Sequence, residues 1–81
     1  MERVREFVVN YLKDNHDVDD YDIDNSLLGY FMDSLSIVDL VVEIEKEFEI
    51  DVYDDWSSWE DNKVNDVVKY IENKLIEKYG E

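Results

Sequence analysis

MDSLSIVDLVVEIEKEFEIDV, residues 32–52, contains the change of pattern on which the fold turns. From Ser34 to Phe48 the residues Ile37, Val41, Ile44 and Phe48 recur at helical spacing, while Asp39, Glu43, Lys46 and Glu47 fall on the other side. That arrangement marks an amphipathic helix with one face in a core. Asp33 stands before it as an N-cap. A carboxylate there accepts a bond from an otherwise unpaired first-turn amide and meets the positive end of the helix dipole.

Upstream, Val4, Phe7, Val8, Tyr11 and Leu12 share one helical face and predict a first helix from about Glu2 to Asp14. Downstream, Val64, Val67, Val68, Ile71 and Leu75 predict a last helix, capped by Asn62 and ended near Gly80. Between them, Ile50 to Asp61 is short and mixed, with Trp56 and Trp59 one helical turn apart as packing residues. It reads as a short helix or an irregular segment. Asn15 to Met32 lacks sustained periodicity and carries Asp17, Asp19, Asp20, Asp22 and Asp24, so a long loop with turns is expected, pinned to the core by Val18, Ile23, Leu27 and Leu28. Loops of that length are often functional. The expected fold is all-α, a small four-helix bundle with three long helices, one short helix and a long first loop, in a single domain over residues 1–81.

Without cysteine, the chain of 81 residues has neither disulfides nor thiolate metal ligands, and an apolar core must hold it. Its 23 acidic residues against 8 basic ones give a formal charge of -15. Such a surface repels nucleic-acid phosphates and anionic lipid and attracts basic protein faces, so no nucleic acid and no membrane are expected as partners. The opening MERVREFVVN shows neither a signal peptide nor a span, and a cytoplasmic monomer is expected. Asp20, Asp22 and Asp24 occupy the first three ligand positions of an EF-hand loop, but Asn25 stands where the motif needs Gly and Phe31 where it needs Glu. His16, the single histidine, reads as a solvated loop side chain. Ser34 has no base at a position that would activate it, so the chain is not expected to be an enzyme.

On local pattern alone Asp33 and Ser34 are ordinary capping residues. A serine where a long loop meets an apolar helix is nevertheless exposed, and a phosphodiester on its hydroxyl lies at the helix end that favours anions. The segment MDSLSIVDLVVEIEKEFEIDV, followed by NKVNDVVKYI at residues 62–71, resembles the acyl carrier protein family. The resemblance spans essentially the whole chain: Asp-Ser-Leu at the start of the second helix, an acidic amphipathic helix ending in Glu-Phe, and a last helix opened by a polar-polar-Val step.

What the resemblance implies is a non-catalytic shuttle in lipid or secondary-metabolite biosynthesis. Ser34 matches the serine that receives 4'-phosphopantetheine from coenzyme A, and Asp33 the acidic neighbour that helps the phosphopantetheinyl transferase hold magnesium. Leu35, Val38 and Val42 match apolar positions that contact partners or cargo. Asp39, Glu43 and Glu45 match acidic positions that meet basic docking faces. The partners implied are the transferase, an acyl- or aminoacyl-loading ligase, and acyl-transferring enzymes. Lys46 departs from the family, which commonly has an acid there. Gly29 lies farther upstream than in fatty-acid carriers, and Phe31-Met32 together with Tyr53 to Trp59 looks more like stand-alone aminoacyl or D-alanyl carriers. An acidic interaction or cation-binding helical bundle with an unmodified serine is the alternative from another class.

The charge imbalance has a measurable consequence. Exposed charges are screened over about 8 Å at physiological ionic strength, and self-repulsion opposes the compact state. Added salt should raise the melting temperature, and magnesium and calcium should raise it equally at matched ionic strength. A gain confined to calcium would contradict diffuse screening.

Overall fold

The computed structural model describes residues 2–80, excepting the side chains of residues 2 and 53–55. These residues form five α-helices in chain order: α1 (Glu2–His16), α2 (Asp20–Asn25), α3 (Leu28–Phe31), α4 (Ser34–Phe48) and α5 (Val64–Tyr79). A 3-10 helix over Tyr53–Asp61 lies between the last two. The all-α bundle expected from periodicity is present. α1 packs on α5, and α4 packs on the 3-10 helix. The faces named by periodicity, Val4, Val8 and Leu12 of α1, Ile37, Val41, Ile44 and Phe48 of α4, and Val64, Val67, Val68, Ile71 and Leu75 of α5, meet in one core. The Phe7 and Phe48 rings close the α1 to α4 contact edge to face, 5.4 Å apart.

Several boundaries differ from the sequence expectation. α1 continues past Asp14 to His16, because Asn15 Nδ2 donates to the Tyr11 carbonyl at 3.0 Å and Asp17 then ends the helix at φ 52°. His16 is thus a helical residue, half-buried against the Tyr11 ring, and not a solvated loop side chain.

The stretch read as a long loop contains α2 and α3, each too short to show a 3.6-residue period. Asp19 caps α2 by accepting from the Asp22 amide at 2.9 Å. Val18, Ile23 and Leu28 enter the core as expected, but Leu27 does not. Leu27 sits in extended backbone bridged to Lys63, where successive side chains face opposite ways, so turning Leu28 inward turns Leu27 out. Met32 takes the fourth inward place.

The acidic loop is less isolated than its composition implies. Arg5 of α1 pairs with Asp24 at 3.0 Å, and Lys13 with Asp20 at 2.6 Å, which holds the Asp20 carboxyl below its usual range. Asp22 accepts from the Ser26 hydroxyl. The three aspartates of the EF-hand spacing therefore turn to three different partners. Among the described residues no group of three His, Asp or Glu side chains is placed to hold a metal ion.

Lys63, not Asn62, is the N-cap residue of α5. Its ammonium cannot accept a bond, and the cap consists of the Asp66 carboxylate reaching back to the Lys63 amide at 3.1 Å. Asn62 instead closes the 3-10 helix, its amide donating to the Trp59 carbonyl and its side chain to the Ser58 carbonyl. α5 ends at Gly80 with φ 73°, as the sequence indicates.

Both tryptophans pack as expected. Trp56 lies against the core, and Trp59, 2% exposed, meets Tyr70 edge to face at 6.1 Å. Truncating a buried Trp to Ala costs about 3–5 kcal/mol, and a chain of 81 residues has roughly 4–12 kcal/mol of total stability at about 0.05–0.15 kcal/mol per residue. Trp59→Ala should therefore leave a substantially unfolded population at 25 °C by far-UV circular dichroism, while Trp59→Phe should stay folded. A Trp59→Ala protein as stable as wild type would remove Trp59 from the core.

Candidate functional site at the start of helix α4

Two backbone hydrogen bonds and two packing contacts set the Met32-Asp33-Ser34 corner. The Leu28 amide donates to the Asn62 carbonyl at 2.8 Å, fixing the loop to the 3-10/α5 junction. α3 then packs on the 3-10 helix, the Met32 amide returns to the Leu28 carbonyl at 2.9 Å, and the Met32 side chain is buried. α4 begins two residues later, at Ser34.

Asp33 is the N-cap, as its position in the sequence indicates. Its backbone is extended, and its carboxylate accepts from the Ser36 amide at 2.8 Å. The Ser36 backbone and side-chain bonds hold the Asp33 carboxyl below the usual range, with a smaller contribution from His16. Ser34 is the first helical residue and is exposed. Its hydroxyl has no partner among the described residues. The Ser34 and Leu35 amides belong to the first turn, which leaves them without intrahelical acceptors. The helix end is thus already occupied by one carboxylate, and a further anion on Ser34 would meet the two remaining amides beside it.

Along α4 the residues Leu35, Val38, Asp39, Val42 and Glu43 fall on the side opposite Ile37, Leu40, Val41, Ile44 and Phe48. Leu35 is 76% exposed, Asp39, Val42 and Glu43 are exposed, and Val38 is half-buried. Five of the residues singled out by sequence therefore form one acidic and apolar strip leading from Ser34. Glu45 stands apart from them. Its carboxylate accepts from the Val52 amide at 2.9 Å and closes the connection to the 3-10 helix.

Two neighbours were not visible in the sequence. Tyr11 of α1 is partly buried, and that burial, with the charges of Asp39 and Glu43, pushes its hydroxyl above the usual pKa. His16 lies within electrostatic reach of Asp33. Neither has a spacing relation to α4, so only the docking of α1 against it places them there.

The family model described as the phosphopantetheine attachment site matches residues 2–71. An acyl carrier protein of Cylindrotheca sp. (strain N1) is 46% identical over 46 residues, covering 57% of this chain and 56% of that protein, so the match spans little more than half the length of that relative. No solved structure matches the chain. Among the described residues no helix is long and apolar enough to cross a membrane. With a family model that runs from α1 into the first half of α5, the chain belongs to the phosphopantetheine attachment-site family, whose acyl carrier proteins are non-catalytic carriers.

Proposed function

We propose that the chain is an acyl carrier, acting as a cytoplasmic monomer, that holds an acyl group as a thioester on a 4'-phosphopantetheine arm joined to Ser34. It presents that group to partner enzymes with basic docking faces. The observation that carries this reading is the exposed, unbonded Ser34 hydroxyl one residue after a carboxylate cap, at the head of the Leu35, Val38, Asp39, Val42 and Glu43 strip. The name of the Cylindrotheca relative supports the acyl cargo. The arm supplies the thiol that this cysteine-free chain lacks.

In attachment the Ser34 Oγ–P bond forms as the pyrophosphate link of coenzyme A breaks, and the hydroxyl proton passes to a base of the transferase. Ser34 contributes the nucleophilic oxygen from an exposed position two residues after the buried Met32. Asp33 holds the helix start through Ser36 and, exposed beside Ser34, is the carboxylate that would meet magnesium on the transferase. The α4 strip contributes steering by Asp39 and Glu43 and apolar contact by Leu35 and Val42. Glu45 extends the acidic surface, but its bond to the Val52 amide means that charge reversal there also disturbs the fold.

Incubation with coenzyme A, magnesium and a broad-specificity phosphopantetheinyl transferase should add one arm, read by intact mass and mapped to Ser34. Ser34→Ala should abolish the addition and keep the melting temperature. Modification of that variant, or none of wild type, would remove the carrier reading.

Asp33 separates capping from metal binding. Asn caps about as well as Asp, whereas Ala does not, so Asp33→Asn should keep the fold and slow modification, and Asp33→Ala should lose several degrees of melting temperature as well. The folded carboxyl titrates below its unfolded value of about 3.9. Its stabilisation is therefore full at neutral pH and is lost as pH falls through the lowered value. Asp33→Asn should flatten the acid limb of the stability profile below about pH 4. Unchanged modification of Asp33→Asn would limit Asp33 to capping.

A further inference from the structure

We infer that the groove between α3 and the 3-10 helix receives the ammonium end of a short aminoacyl cargo borne on the Ser34 arm. This rests on the carrier reading and goes beyond it by naming the cargo. The groove has a volume of about 380 Å³ and is lined by Ser26, Leu27, Gly29, Tyr30, Glu60 and Asp61. That volume suits a small ligand or the end of a larger one.

Its walls are two large side chains that the core does not use, Leu27 at 43% exposed and Tyr30 at 79%. Between them α3 lies so close to the 3-10 helix that a Cβ at Gly29 would meet the Glu60 carbonyl oxygen at 2.9 Å. Gly29 therefore keeps the groove narrow at its base. Glu60 and Asp61 line the other side, and among the described residues neither is ion-paired. Their neighbours on α2 differ, since Asp20 and Asp24 are matched by Lys13 and Arg5.

Charge complementarity selects the occupant. An ammonium group gains from two unpaired carboxylates and from the face of an exposed tyrosine. A saturated acyl end would reach the same walls only by desolvating those carboxylates without replacing their water. The shallow, open groove suits a cargo of a few heavy atoms.

The groove is also within reach. Four peptide units separate Tyr30 from Ser34, a span of at most about 14 Å, and the helical turn of α3 shortens it. The arm has about thirteen backbone atoms from phosphorus to sulfur and extends about 15 Å by the same measure.

The test compares an alanyl cargo with its uncharged counterpart, propionyl. Each is loaded onto Ser34 from a coenzyme A analogue in which an amide replaces the thioester, so that neither hydrolyses. Backbone amide shifts are then read by NMR against the protein carrying the free-thiol arm. Alanyl should move the amides of Leu27, Gly29, Tyr30, Glu60 and Asp61, and propionyl should leave them in place. Glu60→Gln with Asp61→Asn should lose most of the alanyl-specific shift. Equal shifts with both cargoes, or none with alanyl, would overturn the inference while the carrier reading stands. Shifts seen only when the transferase is titrated in, whichever cargo is loaded, would assign the groove to a basic segment of a partner and overturn it too. Failure of wild type to accept any arm would remove both readings together.

Discussion

The Leu28 amide reaches the Asn62 carbonyl across most of the chain's middle, and the approach of Asp33 and Ser34 to the start of α4 follows from that bond. It ties the acidic first connection to the start of α5, with the Leu27 to Lys63 bridge beside it and Gly29 pressed on Glu60. α3 is only four residues long and could not hold itself. Fixed at its first residue, it delivers Met32 into the core and Ser34 to the surface. Loss of this attachment would leave α4 formed but its first turn without a defined approach, because the core face of α4 constrains only the residues from Ile37 onward.

Charge placement complements that attachment. Eight basic residues cannot neutralise 23 acidic ones, and three pairs among the described residues lie where α1 meets other elements: Arg3 with Glu47, Arg5 with Asp24 and Lys13 with Asp20. Exposed pairs of this kind add little to stability. Their larger effect is on distribution, since they reduce repulsion along the first connection and leave the α4 strip acidic. Arg3 also lies 5.0 Å over the Phe48 ring, so the same side chain supports the α1 to α4 contact.

Long elements were legible in the sequence and short ones were not, for a physical reason. A helix of fifteen residues displays its buried face several times over, so Ile37, Val41, Ile44 and Phe48 suffice to place α4. α2 and α3 complete fewer than two turns each, and their only signal is the Asp19 cap, which is hard to separate from the aspartates around it. Leu27 and Leu28 show the limit at a single residue: both are leucines, and the local backbone decides which one is buried. The candidate site was legible to the extent that it is local. Asp33, Ser34 and the α4 strip follow from spacing, whereas Tyr11, His16 and the inward bond of Glu45 depend on tertiary contacts that no periodicity records.

The order Asp33 then Ser34 also resolves a competition within the first turn. A serine at a helix start is normally used as the cap, with its hydroxyl oxygen taken by the amide two or three residues on. Had Ser34 held that place, attaching a phosphodiester would remove the cap and the modified protein would lose stability at its own site. Moving the cap one residue earlier assigns the Ser36 amide to a carboxylate, which accepts more strongly than a hydroxyl. The Ser34 hydroxyl is then structurally idle and can be substituted without a change in the helix. On the proposed reading Asp33 therefore has a role in the free protein before any partner arrives: it leaves the Ser34 hydroxyl uncommitted.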